Sequence, residues 1–181
     1  MEEPKTSVKP RVSKAATLTE SGLMIAIMAI CSWISIPTVI PFTLQTFAVF
    51  LTVLLLGGKQ GTIAIFIYLL LGAVGIPVFS NFGAGLGYLL GNTGGYAIGF
   101  LFIGFSGWLF EKLFGRKNFS QVTSMIFGLI LCYTFGTFWF MNISMNTESA
   151  YGLMTTLTMC VFPFIIPDLC KLLLAYFISK R

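Results

Sequence analysis

Six apolar segments run through the chain, at about residues 20–36, 43–57, 61–76, 94–114, 120–142 and 152–178, and the polar positions gather in the joints between them. A helix that crosses a bilayer needs about 20 predominantly apolar residues. The second and third segments are short and require tilt, a locally thinned bilayer or shielding by neighbouring helices. The pattern predicts an all-α, polytopic membrane protein, with six transmembrane helices in a compact bundle over residues 20–181. A polar N-terminal tail, residues 1–19, precedes the bundle; its prolines and early charges predict disorder or a place on the membrane surface. The joints are marked by Pro37 and Pro41 and by Gly57-Gly58-Lys59-Gln60-Gly61, and one long joint runs from Pro77 to Thr93. No internal repeat is visible, so the inverted-repeat architecture of many secondary transporters gets no support.

Composition agrees with the pattern. Of the 181 residues 56% are hydrophobic and 9% charged, against about 25% charged in soluble domains, and the mean hydropathy is +0.91. The net charge of +5 forms no basic patch interleaved with aromatics, which argues against nucleic acid as a partner. There is no histidine, and Cys31, Cys132, Cys160 and Cys170 stand apart with no C-x-x-C spacing, so no metal or haem site can be written and no cofactor is expected. They read as small buried hydrophobes. The first apolar segment follows several basic residues as a secretory signal would, but no A-x-A-like cleavage site follows Ile36, so it reads as a helix.

The charges also orient the chain. With six spans, ten of the eleven basic residues fall on one side: the tail, Lys59, the joint with Lys112, Arg116 and Lys117, and Lys180-Arg181. The joints at 37–42, 77–93 and 143–151, on the other side, carry only Glu148. By the positive-inside rule both termini are cytoplasmic.

The eleventh basic residue is Lys171. It lies three residues after Asp168, inside the last apolar segment, and the spacing places both on one helix face. With Lys180 at the cytoplasmic interface, Lys171 is about 14 Å and Asp168 about 18 Å deep, near the middle of a core about 30 Å thick. Charges at that depth are expensive and mark a functional site by default; the bland alternative is a structural ion pair. Pro163 and Pro167 favour a cavity, since unwound backbone at membrane depth lines one. The uncharged joint at 77–93, with Gly83, Gly85, Gly87 and Gly91, reads either as a plain connector or as a lid over an amphipathic ligand. In segment one, Gly22, Ala26 and Ala29 allow close helix approach, for internal packing or for docking a second membrane protein. Trp139, one turn from Gly136, reads as packing, as an interfacial anchor or as a wall of the site.

These residues resemble the BioY family, the substrate-binding (S) components of energy-coupling factor (ECF) vitamin transporters. The resemblance is carried by Pro41-Phe42-Thr43-Leu44-Gln45-Thr46, Leu54-Leu55-Leu56-Gly57-Gly58-Lys59-Gln60-Gly61, Tyr68-Leu69-Leu70-Leu71-Gly72-Ala73-Val74-Gly75-Ile76-Pro77-Val78-Phe79, Leu90-Gly91-Asn92-Thr93-Gly94-Gly95-Tyr96 and the final Asp168-x-x-Lys171. It implies a six-helix bundle that takes biotin from outside and hands it inward when docked to a transmembrane coupling protein driven by two ATPase subunits. It also implies that Asp168 and Lys171 contact the ligand, with Gln45, Thr43 and Tyr96 in the pocket wall. The chain departs from the family pattern at Ile166-Pro167-Asp168, where Pro-Gly-Asp is usual. Asn92 stands where proline is common, and Gly83 and Ala97 align where some members carry Asn and Arg.

Biotin suits the residues chemically. Asp168 can accept a ureido N–H, Lys171 can donate to the ureido carbonyl, and the carboxylate tail would reach Asn92, Thr93 and backbone N–H groups of the 77–93 joint. Enzyme chemistry is not expected, because it needs a base beside a nucleophile or paired carboxylates, and Asp168 has only Lys171 nearby in sequence. A self-sufficient facilitator or proton-coupled biotin carrier, with the Asp168–Lys171 pair moving the proton, is the alternative.

Overall fold

The computed structural model describes residues 14–36, 38, 40–145 and 151–181. Residues 1–13 of the polar tail and residue 148, the one charge expected on the outer side, lie outside the described residues. Helix α1, Lys14–Trp33, starts six residues before the expected boundary at 20. Ala15 and Ala16 are strong helix formers, and the Thr19 and Ser21 hydroxyls bond back to the carbonyls of Ala15 and Thr17, which lets a polar first turn remain helical.

The joint to the next helix is a short antiparallel ribbon, β1 (Ser35–Ile36) against β2 (Phe42–Thr43). Helices α2 (Gln45–Leu56) and α3 (Gly58–Val74) follow, turning at Gly57, whose φ of 86° lies in the left-handed region that favours glycine. A 3₁₀ turn at Ser80–Phe82 and a single helical turn, α4 (Leu86–Leu89), fold the long joint back on the bundle. Helices α5 (Gly94–Phe114) and α6 (Asn118–Met145) form the most extensive helix pair. The chain closes with α7 (Leu153–Cys160) and α8 (Phe162–Ser179).

Four stretches are long and apolar enough to cross a membrane, Lys14–Trp33, Gly94–Phe114, Asn118–Met145 and Leu153–Ser179; Gln45–Leu56 and Gly58–Val74 are apolar but shorter. The short α2 is shielded by protein: nine of its twelve residues are buried, and it touches α1, α3, α5 and α8. Close approach helps α3 in the same way, because a Cβ at Gly58 would lie 2.3 Å from the backbone of Trp108 on α5. The outward faces carry Leu109, Leu113, Ile130, Leu173 and Phe177, all exposed. So much exposed apolar surface would aggregate in water and is solvated by lipid. The chain is thus an all-α membrane protein, apart from the two-residue ribbon.

The ends of the bundle differ in charge. At one end Arg116 donates to the carbonyls of Leu54 and Leu55, at 2.6 and 2.8 Å, closing the C-terminus of α2. The Glu111 carboxylate beside it accepts the Gly58 N–H, and Lys180 donates to Gln121. The other end, formed by the ribbon and residues 77–93, has no charged side chain among the described residues.

The last span corrects one expectation. The prolines do not unwind the backbone at Asp168; the helix breaks upstream at Val161 (φ −125°, ψ −57°), between α7 and α8. Pro163 falls in the first turn of α8, where a missing N–H costs nothing, and the helix continues through Pro167, leaving Asp168 and Lys171 on regular helix.

Candidate ligand-binding site

Residues from six parts of the chain line a cavity at the charge-poor end of the bundle. The ribbon joint supplies Ile40, Pro41 and Thr43; α2 supplies Gln45 and Thr46; the 77–93 segment supplies Ser80, Tyr88 and Thr93; α5 supplies Tyr96, Ala97 and Phe100. Helix α6 adds Leu129, Cys132 and Tyr133, and the α7–α8 span adds Cys160, Phe164, Asp168 and Lys171. The break at Val161 separates the two wall positions Cys160 and Phe164.

Asp168 and Lys171 are 3% and 7% exposed, so their solvation comes from the protein. One carboxylate oxygen of Asp168 accepts from Lys171 Nζ at 2.7 Å, and the other accepts from the Tyr133 hydroxyl at 2.7 Å. The Lys171 ammonium also donates to the Thr43 carbonyl at 2.7 Å and lies 4.3 Å from the centre of the Phe42 ring, a cation–π contact. Phe42 stacks in turn on Phe164. The pair therefore ties α8 to α6 and to β2 of the ribbon, and both side chains still line the cavity.

A second polar chain lies alongside. Gln45 donates to the Tyr68 hydroxyl at 2.8 Å, and Tyr68 donates to the Val78 carbonyl at 2.6 Å. The same carbonyl accepts from Ser32 at 2.6 Å, and Trp33 donates to the Pro77 carbonyl at 2.9 Å. The 77–93 segment is thus pinned to α1 and α3 at its start. Further along, Tyr88 stacks on Phe79 at 4.6 Å and its hydroxyl lies 2.6 Å from Ser80 Oγ. Phe82 has a left-handed φ of 57°, uncommon for a bulky side chain, and stacks on Trp33 at 5.0 Å. The segment is a folded cover over the cavity. The free space beneath it is about 60 Å³, room for a few water molecules.

The residues singled out by sequence divide as follows. Asp168, Lys171, Thr43, Gln45, Thr93 and Tyr96 all line the cavity. Asn92, next to Thr93, is exposed and turned away from it. Gly83 lies under the Tyr88 ring, where a Cβ would come within 2.5 Å, so it lets Tyr88 fold over the site without lining it. Trp139 donates to the Gly91 carbonyl at 3.1 Å and covers Gly95, which places it behind the wall. On α1, Gly22 and Ala26 face outward while Ala29 is buried in the core, so the three do not form one docking face.

Sequence reasoning missed Tyr133. It stands 35 residues before Asp168, and the available signal was a polar tip on an aromatic residue deep in an apolar segment, which when buried needs a partner.

Comparisons with known proteins point to one family. A family model described as the BioY family matches residues 4–181. The chain is 39% identical to the biotin transporter BioY of Thermotoga maritima, over 91% of this chain and 94% of that one. It is 36% identical to the probable biotin transporter BioY of Pyrococcus horikoshii, over 93% and 96%. A crystal structure at 2.1 Å of the S-component for biotin from an ECF-type ABC transporter superposes with a TM-score of 0.80 at 32% identity, covering 93% of this chain and 90% of that one.

Proposed function

The chain belongs to the BioY family, and from that premise we propose that it is the substrate-binding membrane subunit for biotin uptake. It captures biotin in the cavity at the charge-poor end and is not an enzyme. The observation that carries this reading is the buried Asp168–Lys171 pair on the cavity wall. A carboxylate beside an ammonium presents the acceptor and donor that a ureido ring complements, and the ring's apolar faces suit Phe100, Leu129 and Phe164. Because the 77–93 segment with Tyr88 lies over the cavity, biotin enters as this cover moves outward.

Calorimetric titration of the purified protein tests the assignment. Biotin gives a saturable heat, and thiamine and riboflavin give none. Silence towards all three would refute it.

The remaining parts of the reading are proposals of the same kind. The six spans are α1, α2, α3, α5, α6 and the broken α7–α8 pair, with the basic end and both termini in the cytoplasm. Delivery inward uses an ECF transmembrane coupling protein and two ATPase subunits, in keeping with the solved relative's description as part of an ECF-type ABC transporter. Docking uses the outward positions Gly22 and Ala26 of α1; a side chain at Gly22 meets nothing within 4 Å in the isolated chain. Gly22→Leu is therefore expected to bind biotin normally and to lose co-purification with the coupling protein. Normal co-purification would move docking to another face.

A further inference from the structure

The cavity has two ends with different chemistry, and the difference bears on which ligands it accepts. Among the described lining residues Asp168 and Lys171 are the only charged side chains, and at 2.7 Å they neutralise one another. The Lys171 ammonium is further engaged by the Thr43 carbonyl and the Phe42 ring. The wall formed by the cover contributes only hydroxyls: Ser80, Tyr88 and Thr93. Ser80 Oγ and Tyr88 OH lie 2.6 Å apart and either can be the donor. Two hydroxyls hold two protons and one lies between them, so the second is left to donate into the cavity. Thr93 is half-buried, and its hydroxyl has no protein partner among the described residues.

Resting on the biotin reading, we infer that the site reads the ureido ring by charge and the tail by neutral hydroxyls. It therefore accepts the class of biotinyl compounds whose carboxylate is replaced by an uncharged amide or ester. A hydroxyl donates to an amide or ester carbonyl as it does to a carboxylate, only less strongly. The N-terminus of α5, which brings Thr93 and Tyr96 to the wall, typically favours an anion by a few-fold. A buried cation dedicated to the carboxylate would instead be left unpaired by a neutral tail and would discriminate by orders of magnitude.

The test titrates the full chain with biotin, biotinamide, biotin methyl ester and 2-iminobiotin, which changes only the ring. We expect the amide and ester to bind within tenfold of biotin and the iminobiotin to bind at least a hundredfold more weakly. Biotin binding with the amide and ester more than tenfold weaker would overturn the inference and assign Lys171 to the tail. Iminobiotin binding as well as biotin would overturn the division between ring and tail. Silence towards all four sinks the biotin reading and this inference with it. Tyr88→Phe, which removes one of the pair's two protons, should weaken both biotin and biotinamide, with the larger factor for biotin because its carboxylate is the stronger acceptor. A loss confined to biotin would show that this hydroxyl serves an anionic tail and would count against a charge-blind end.

Discussion

At the scale of single residues, the site turns on how a carboxylate is kept in the middle of an apolar bundle. Asp168 holds both oxygens against donors, Lys171 and Tyr133, and a hydrogen bond to a charged group is worth about 1.5–3 kcal/mol. Tyr133→Phe leaves one oxygen bare without disturbing the ion pair, and should weaken biotin binding about 10- to 100-fold, the affinity equivalent of that range, with a lowered unfolding temperature. Unchanged binding would show that Asp168 does not need its second donor. The pair itself gives an asymmetric expectation. Lys171→Met strands a buried carboxylate, at about 3–5 kcal/mol. Adding Asp168→Asn removes the stranded charge and should restore most of the thermal stability while biotin binding remains absent. If the double variant is no more stable than Lys171→Met alone, desolvation is not what governs this pair.

At the scale of elements, the wall depends on small residues opposite aromatic rings along the α5–α6 seam. A Cβ at Gly136 of α6 would lie 2.3 Å from the ring of Tyr96 on α5, and one at Gly95 would lie 2.3 Å from Trp139. Gly136→Ala must therefore push Tyr96 towards the cavity. Overpacking of this kind costs about 1–3 kcal/mol, and biotin affinity and unfolding temperature should fall together in one titration and melting series. A variant that melts lower but binds normally would mean that the ring moves away from the ligand. The seam also shows what one sequence carries and what it does not. Asp168 and Lys171 were legible because an isolated charge in an apolar run is a local signal, and the helices were legible from segment length and composition. Tyr133 was not, because nothing local pairs it with a residue on another helix. Unwound backbone was expected at the prolines because proline marks a lost N–H; Pro163, in a first turn, has none to lose, and α8 continues through Pro167. Asn92 and Thr93 were inseparable by pattern, since in an irregular segment no period of 3.6 or 2 decides which neighbour faces inward.

For the whole molecule, the asymmetry of charge and the position of the cavity describe one polarity. The cavity and its cover occupy the end whose ribbon and 77–93 segment carry no charged side chain among the described residues, and Lys59, Lys112, Arg116 and Lys117 occupy the other. If the positive-inside rule governs insertion here, the cavity opens away from the cytoplasm, and two neighbouring residues can report both facts at once. In a background with Cys31, Cys132, Cys160 and Cys170 replaced by alanine, single cysteines are placed by Asn92→Cys, Thr93→Cys and Lys117→Cys. A membrane-impermeant maleimide added to intact cells should react at 92 and 93 and reach 117 only after lysis. Saturating biotin should slow the reaction at 93, which lines the cavity, and leave 92, which is exposed outside it, unchanged. Reaction at 117 in intact cells would invert the topology. Equal protection of 92 and 93 would mean that the whole cover closes on the ligand, rather than Thr93 alone lying against it.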